Sequence, residues 1–143
     1  FDKELPGVFV DRDAIKQCLW NIFINSIHAM PNGGTLSVKT QRFPKDRDGR
    51  PCENVAITIA DNGTGMSEET LSNAFQPFFS TKTRGTGLGL SIAQRIINQH
   101  DGCISVSSSM GEGTLAQISI PAIYSTFAVN KKKEDDNAVH IDS

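Results

Sequence analysis

The chain has 143 residues and a mass of 15.5 kDa, with 14 Lys and Arg against 16 Asp and Glu. That length suits one domain able to bury a core without disulfides or a structural metal, and no apolar run approaches the ~20 residues that span a bilayer. A net charge of −2 and a pI near 5.9 argue against a nucleic-acid-binding surface as the main function.

Leu5 to Val10 reads as a short strand, and Asp11 or Asp13 can cap the helix after it. From Ala14 to Met30 the apolar residues Ile15, Leu19, Ile22, Phe23, Ile27 and Met30 recur at helical spacing, and Pro31-Asn32-Gly33-Gly34 ends that helix. Thr35 to Phe43 and Asn54 to Ala60 alternate like strands, with Leu36/Val38 and Val55/Ile57/Ile59 as inward sets. Pro44 to Glu53 reads as a polar loop between them. Ser67 caps a short helix to Ala74. Gln76 to Gly87 has no period. Leu88 to His100 is helical, closed by Gly102. Cys103 to Ser107 and Thr114 to Ile120 are strands joined by a Gly111-Glu112-Gly113 turn. After Tyr124 the apolar pattern fades into a tail or linker, 125–143, so the domain proper is 1–124. The order predicts an α/β sandwich, a mixed sheet with helices on one face.

Cys18, Cys52 and Cys103 are widely spaced and belong to no Cys-x-x-Cys or Cys/His cluster, which reads as reduced thiols in a cytosolic protein. The chain begins at Phe1 and shows no signal peptide, the pattern expected of a domain taken from a longer polypeptide.

Four features could carry chemistry. Gln17, Asn21, Asn25 and His28 form a polar stripe on an otherwise apolar helix. A solvent face usually carries Lys and Glu, so the paired Asn residues suggest oxygen ligands for a hard cation such as Mg²⁺. Asp61-Asn62-Gly63-Thr64-Gly65 comes after a strand and reads either as a turn or as a carboxylate at a sheet's edge beside glycines that admit a flat ligand. Gly85-Thr86-Gly87-Leu88-Gly89-Leu90-Ser91 opens the last helix, where free N–H groups can meet phosphate, with Lys82 and Arg84 upstream to neutralise charge. Its spacing fits neither the dinucleotide nor the P-loop fingerprint, and a plain flexible hinge is the alternative. Phe75-Gln76-Pro77-Phe78-Phe79 reads as a core anchor for the neighbouring loop.

In this order the segments resemble the catalytic and ATP-binding domain of sensor histidine kinases, in the GHKL superfamily. Asn21-Ile-Phe-Ile-Asn25 resembles the asparagine box, and Asp61-Asn-Gly-Thr-Gly65-Met66 the first glycine box. Phe75-Gln-Pro-Phe-Phe79-Ser-Thr-Lys82 resembles the phenylalanine box, and Gly85-Thr-Gly-Leu-Gly-Leu90 the second glycine box. Gly111-Glu-Gly-Thr114 with Pro121 also fits, so the likeness runs from about residue 5 to residue 121. The short lid and the Phe-Phe-Ser-Thr-Lys variant look most like the nitrogen-regulation type.

The resemblance implies an α+β Bergerat fold holding ATP with Mg²⁺. It places the metal on Asn25 and the adenine amino group on Asp61, with Gly63, Gly65 and Met66 around the base and Thr114 supporting it. It places phosphate near Thr86, Gly87, Leu88, Gly89, Leu90, Lys82 and Arg84. His28 stands where such domains often carry Lys or Arg, so either Lys82 or Arg84 must supply more of the charge or His28 acts only as a hydrogen-bond donor. It makes Asn21, Asn25 and Lys82 the catalytic set. Hydrolytic members of the superfamily usually have Glu where this chain has Asn21. An amide takes no proton at neutral pH, which favours transfer to a nucleophile that needs little activation. The implied partners are a histidine-bearing dimerisation domain of the same protein and a response regulator, in the cytoplasm, with no nucleic acid and no direct membrane contact. His100-Asp101 superficially resembles an acceptor pair, but Gly102 comes immediately afterwards and makes it a helix end. A non-catalytic nucleotide sensor, an anti-sigma serine kinase and an ATPase clamp are the competing readings.

Overall fold

The computed structural model describes residues 5–47, 50–81 and 85–123, and for 43–47 and 50–52 only the backbone. The expected tail, 125–143, lies outside the described residues. In chain order the elements are α1 (Arg12–Ala29), β1 (Leu36–Arg47), β2 (Arg50–Asp61), α2 (Glu68–Asn73), α3 (Gly89–Gln99), β3 (Cys103–Ser109) and β4 (Gly113–Pro121).

Asp11 starts α1, because its Oδ1 accepts from the N–H groups of Asp13 and Ala14 at 2.9 and 3.0 Å. Those bonds favour the charged form and hold the Asp11 carboxyl below its ordinary range. The helix ends at Met30, ahead of the proline–glycine run. Ser67 caps α2 by accepting from Thr70 N–H.

The strands stand in the order β1-β2-β4-β3, and each neighbouring pair is antiparallel. Register sets Val55 opposite Ile120, Ile57 opposite Ile118 and Ile59 opposite Ala116, and it carries Ile104 and Val106 to Ile118 and Ala116 on β4. Side chains alternate along a strand, so these residues share one face. Helices α1 and α3 cover that face, bringing Cys18, Ile22, Ala93, Ile96 and Ile97 onto Ile59, Ala116, Ile118 and Ile120. Leu36 and Val38 join the core as expected. The α+β sandwich therefore stands, with a sheet that is antiparallel throughout the described residues where a mixed one was expected. Helix α2 buries no residue.

Three details depart from the sequence reading. Leu5 to Val10 makes a single bridge, Val8 to Ala122, in place of a strand. Its pairing partner is only the short stretch after Pro121, where Ile123 N–H donates to Gly7 O at 2.8 Å. Within the expected loop 44–53, residues 44–47 and 50–53 are instead paired backbone, with β1 and β2 in register out to Arg47 opposite Arg50. This part of the hairpin runs past the end of β4, whose last partner on β2 is Asn54. Pro44 and Pro51 are tolerated there because each strand has one neighbour, leaving one backbone edge without a ladder to serve. Finally, the left-handed residue after α3 is Asp101, φ +55°, rather than Gly102. A short polar side chain accepts that conformation, while Gly102 is needed for close approach: a Cβ there would lie 2.6 Å from the Ser119 carbonyl oxygen.

His100, the C-cap of α3, ties the two main helices together. Its Nδ1 lies 2.7 Å from the Ile96 carbonyl oxygen, and Asp11 N–H donates to its Nε2 at 3.0 Å. A carbonyl can only accept, so Nδ1 carries the proton and Nε2 is bare.

Cys18 is fully buried, and burial pushes its thiol up to about 11, so it stays protonated at neutral pH. Cys103 is exposed. Under native conditions a thiol reagent should label Cys103 within minutes and leave Cys18 untouched until denaturant is added, as read by peptide mapping.

Candidate functional site

Asp61 is the last residue of β2 and only 8% exposed. Its Oδ1 accepts from the N–H of Gly63 at 3.0 Å and of Thr114 at 3.2 Å. Among the described residues Oδ2 takes no hydrogen bond, and it is not sealed from solvent. Thr114 is the direct cross-strand partner of Asp61, Ser108 is that of Thr114, and Leu36 flanks Asp61 on β1. The four side chains make one row across the end of the sheet, on the helix-covered face.

The loop after Asp61 is tied down on two sides. Thr64 N–H donates to the Ala29 carbonyl at the end of α1, at 3.0 Å, and Thr64 O accepts from Gly111 N–H in the β3–β4 turn, at 2.7 Å. Met66 N–H donates to Ser108 Oγ at 2.9 Å. Gly63 has no room for a side chain, since a Cβ would stand 2.6 Å from Ala29 O. Gly65 has φ +65° and packs its Cα against the Ser109 carbonyl.

The other end of the site lies one to two turns back along α1. Asn21, half-buried, donates from Nδ2 to the Gly89 carbonyl at 3.2 Å. Asn25 Nδ2 lies 3.7 Å from where a Cβ of Gly89 would be. The Asn pair thus faces the start of α3 rather than bulk solvent. Helices α1 and α2 each have a side-chain cap, whereas α3 begins at Leu88 with none. Its first N–H groups therefore lack the partner that Asp11 and Ser67 give the others, the arrangement that attracts an anion. Asn21, Asn25 and Ala29 are spaced by four, so one face of α1 runs from the α3 start to the Asp61 loop, about 12 Å at 1.5 Å per residue.

Three more of the expected site residues flank the two ends. His28 is exposed on the last turn of α1, Thr86 is exposed ahead of α3, and Leu90 is half-buried against the core. Gly87, φ +66°, turns its Cα into the Phe78–Phe79 backbone, and its carbonyl accepts from Phe78 N–H at 2.9 Å. Lys82 and Arg84 lie outside the described residues. The phenylalanine segment departs from the core-anchor reading: Phe78 is 78% exposed with φ +66°. Its backbone is held against Gly87 with the ring outward, while Phe75 and Phe79 are half-buried. Both His100 nitrogens are engaged, so it is a helix end and not a nucleophile awaiting phosphate. The sequence reading missed Ser108, which sits in a run of serines with nothing to single it out.

Comparison with known proteins gives the family. The family described as histidine kinase-, DNA gyrase B-, and HSP90-like ATPase matches residues 10–123. The chain belongs to that family. ATP binding comes with that membership. The chain is 39% identical over 122 residues to the sensor histidine kinase ZraS of Salmonella typhimurium, covering 85% of this chain and 25% of that protein. It is 37% identical over 118 residues to sporulation kinase E of Bacillus subtilis, covering 82% of this chain and 15% of the relative. Among solved structures, the nucleotide-free catalytic domain of histidine kinase ThkA superposes with a TM-score of 0.64 at 34% identity, covering 80% of this chain and 70% of that one. The chain thus spans about a quarter or less of the length of these full-length kinases. No helix among the described residues is long and apolar enough to cross a membrane.

Proposed function

We propose that this chain is the ATP-binding catalytic domain of a two-component sensor histidine kinase, presenting the γ-phosphoryl group of Mg·ATP to a histidine on a helical dimerisation domain, from which a response regulator is then served. The observation that carries it is the uncapped start of α3 held against Asn21 and Asn25, one end of an α1 face whose other end meets the Asp61 loop. The base sits at Asp61, where Oδ2 accepts from the exocyclic amine. The phosphates lie on the α3 N–H groups. Phosphoryl transfer depends on this positioning and on charge neutralisation more than on covalent work by the protein.

The residues present fit magnesium. No group of three or more His, Cys, Asp or Glu among the described residues could hold a metal by itself, but Mg²⁺ takes few protein oxygens and shares phosphate oxygens and waters. Asn25 offers one such oxygen, and when bound the ion would neutralise phosphate charge. Asn21 is bonded to the α3 start and accepts no proton, so it positions that helix and activates no water. This favours transfer to a protein histidine over steady hydrolysis, as do kinase relatives at 37–39% identity. Lys82 is proposed as the lid cation, joined by Arg84. A cytoplasmic location fits the need for ATP. The Phe78-Phe79-Ser80-Thr81-Lys82 variant supports the nitrogen-regulation type of kinase.

Supplying a His-bearing dimerisation hairpin with γ-labelled ATP should move label to that histidine, whereas rapid steady hydrolysis by this chain alone would overturn the reading. Asp61→Asn keeps the Oδ1 acceptor and turns an NH₂ toward the base. Calorimetry should find ADP affinity lowered by about 10- to 150-fold, the value of a charged hydrogen bond of ~1.5–3 kcal/mol. Asn25→Ala should weaken Mg·ATP more than metal-free ATP, and equal weakening would contradict the metal role.

A further inference from the structure

We propose that Ser108 sets base selectivity by fixing the direction of the Thr114 hydroxyl. The inference rests on the reading of Asp61 as the base acceptor and adds a residue to it.

A serine hydroxyl has one proton and two lone pairs. Ser108 Oγ lies 2.6 Å from the Gly113 carbonyl oxygen, which can only accept, so the serine proton lies on that line. Met66 N–H donates to one lone pair of the same Oγ at 2.9 Å. Thr114 Oγ1 is 3.2 Å away. With no second proton on Ser108, Thr114 must be the donor of that bond. The threonine proton is thereby turned along the row toward β3, and its lone pairs are left for whatever lies beside Asp61, its opposed neighbour on β2.

Two backbone donors beside Asp61 are already used. Gly63 N–H and Thr114 N–H both go to Asp61 Oδ1. The end of the sheet therefore offers two side-chain acceptors, Asp61 Oδ2 and Thr114 Oγ1. A purine with an amine at C6 can donate to such a site, directly or through one water. A purine with a carbonyl at C6 brings a third acceptor there, for which neither side chain has a proton, and only its N1–H can still donate to the pair. Without Ser108 the Thr114 hydroxyl could rotate and donate to that carbonyl, and the site would lose part of its preference.

The test compares ADP with IDP, which differ at C6 and in the proton that IDP carries on N1, by calorimetry on this chain. The unmodified protein should bind ADP the more tightly. Ser108→Ala should lower the ADP-to-IDP affinity ratio about two- to tenfold, mostly through better IDP binding. Ser108→Thr, which keeps a hydroxyl, should restore it. Ser108→Cys keeps the bulk but bonds weakly, and gives the same reading if the alanine variant does not fold. Adding Ser108→Ala to Thr114→Val should change the ratio no further than Thr114→Val does. If the Ser108 variants weaken both nucleotides equally, Ser108 is only a brace and the proposal is overturned, while the Asp61 reading survives. If Asp61→Asn leaves ADP affinity unchanged, the base reading itself falls and takes this proposal with it.

Discussion

The close approach of α1 and α3 is the constraint on which the site depends. It is made by small side chains: Cys18 and Ala93 are both fully buried, with Cys18 Sγ 3.9 Å from the Ala93 carbonyl. A larger residue at either position would have to push the helices apart, because protein interiors have little spare volume. One turn before Ala93 is Gly89, and one to two turns after Cys18 are Asn21 and Asn25. The packing that seals the core thus also sets the amides against the start of α3. Stability and function share one seam here.

Most of the architecture was legible in the chain because its core signals are periodic. Ile57 and Ile59 alternate, the α1 apolar residues recur at three and four, and Gly and Pro mark the breaks. The failures have physical reasons. Residues 44–53 are polar and contain two prolines, which hides the backbone pairing of 44–47 with 50–53. Asp101 took the left-handed position because its short polar side chain tolerates it, leaving Gly102 to serve close packing. Phe78 looked apolar enough to be inside, but its backbone bond to Gly87 decides where the ring points. For the site, residue type and position were enough to single out Asn25 and Asp61 as candidates. Ser108 was not, since its importance lies in three partners from separate stretches of the chain, and only the fold brings those together.

The glycines of the Asp61 loop illustrate a division of labour between side chain and backbone. Asp61 gives one oxygen to the protein, and under the proposed reading the other goes to the base. The first holds the loop and β4 in place so that the second is aimed. Gly63 and Gly65 let that loop lie directly on the end of α1 and on the β3–β4 hairpin, so the carboxylate is braced by backbone from both sides. Pre-organisation of this kind lowers the ordering cost that binding would otherwise carry.

The strand order places Asp61 and Thr114 on the two central strands, whereas residues 85–88 have no regular structure. Central strands exchange their amide protons only in near-global openings, while irregular connections open with little cost. The two ends of the site therefore belong to different tiers of local stability. Under the proposed placement of base and phosphates, a departing nucleotide would be released from its phosphate end first, with its purine still moored to the centre of the sheet.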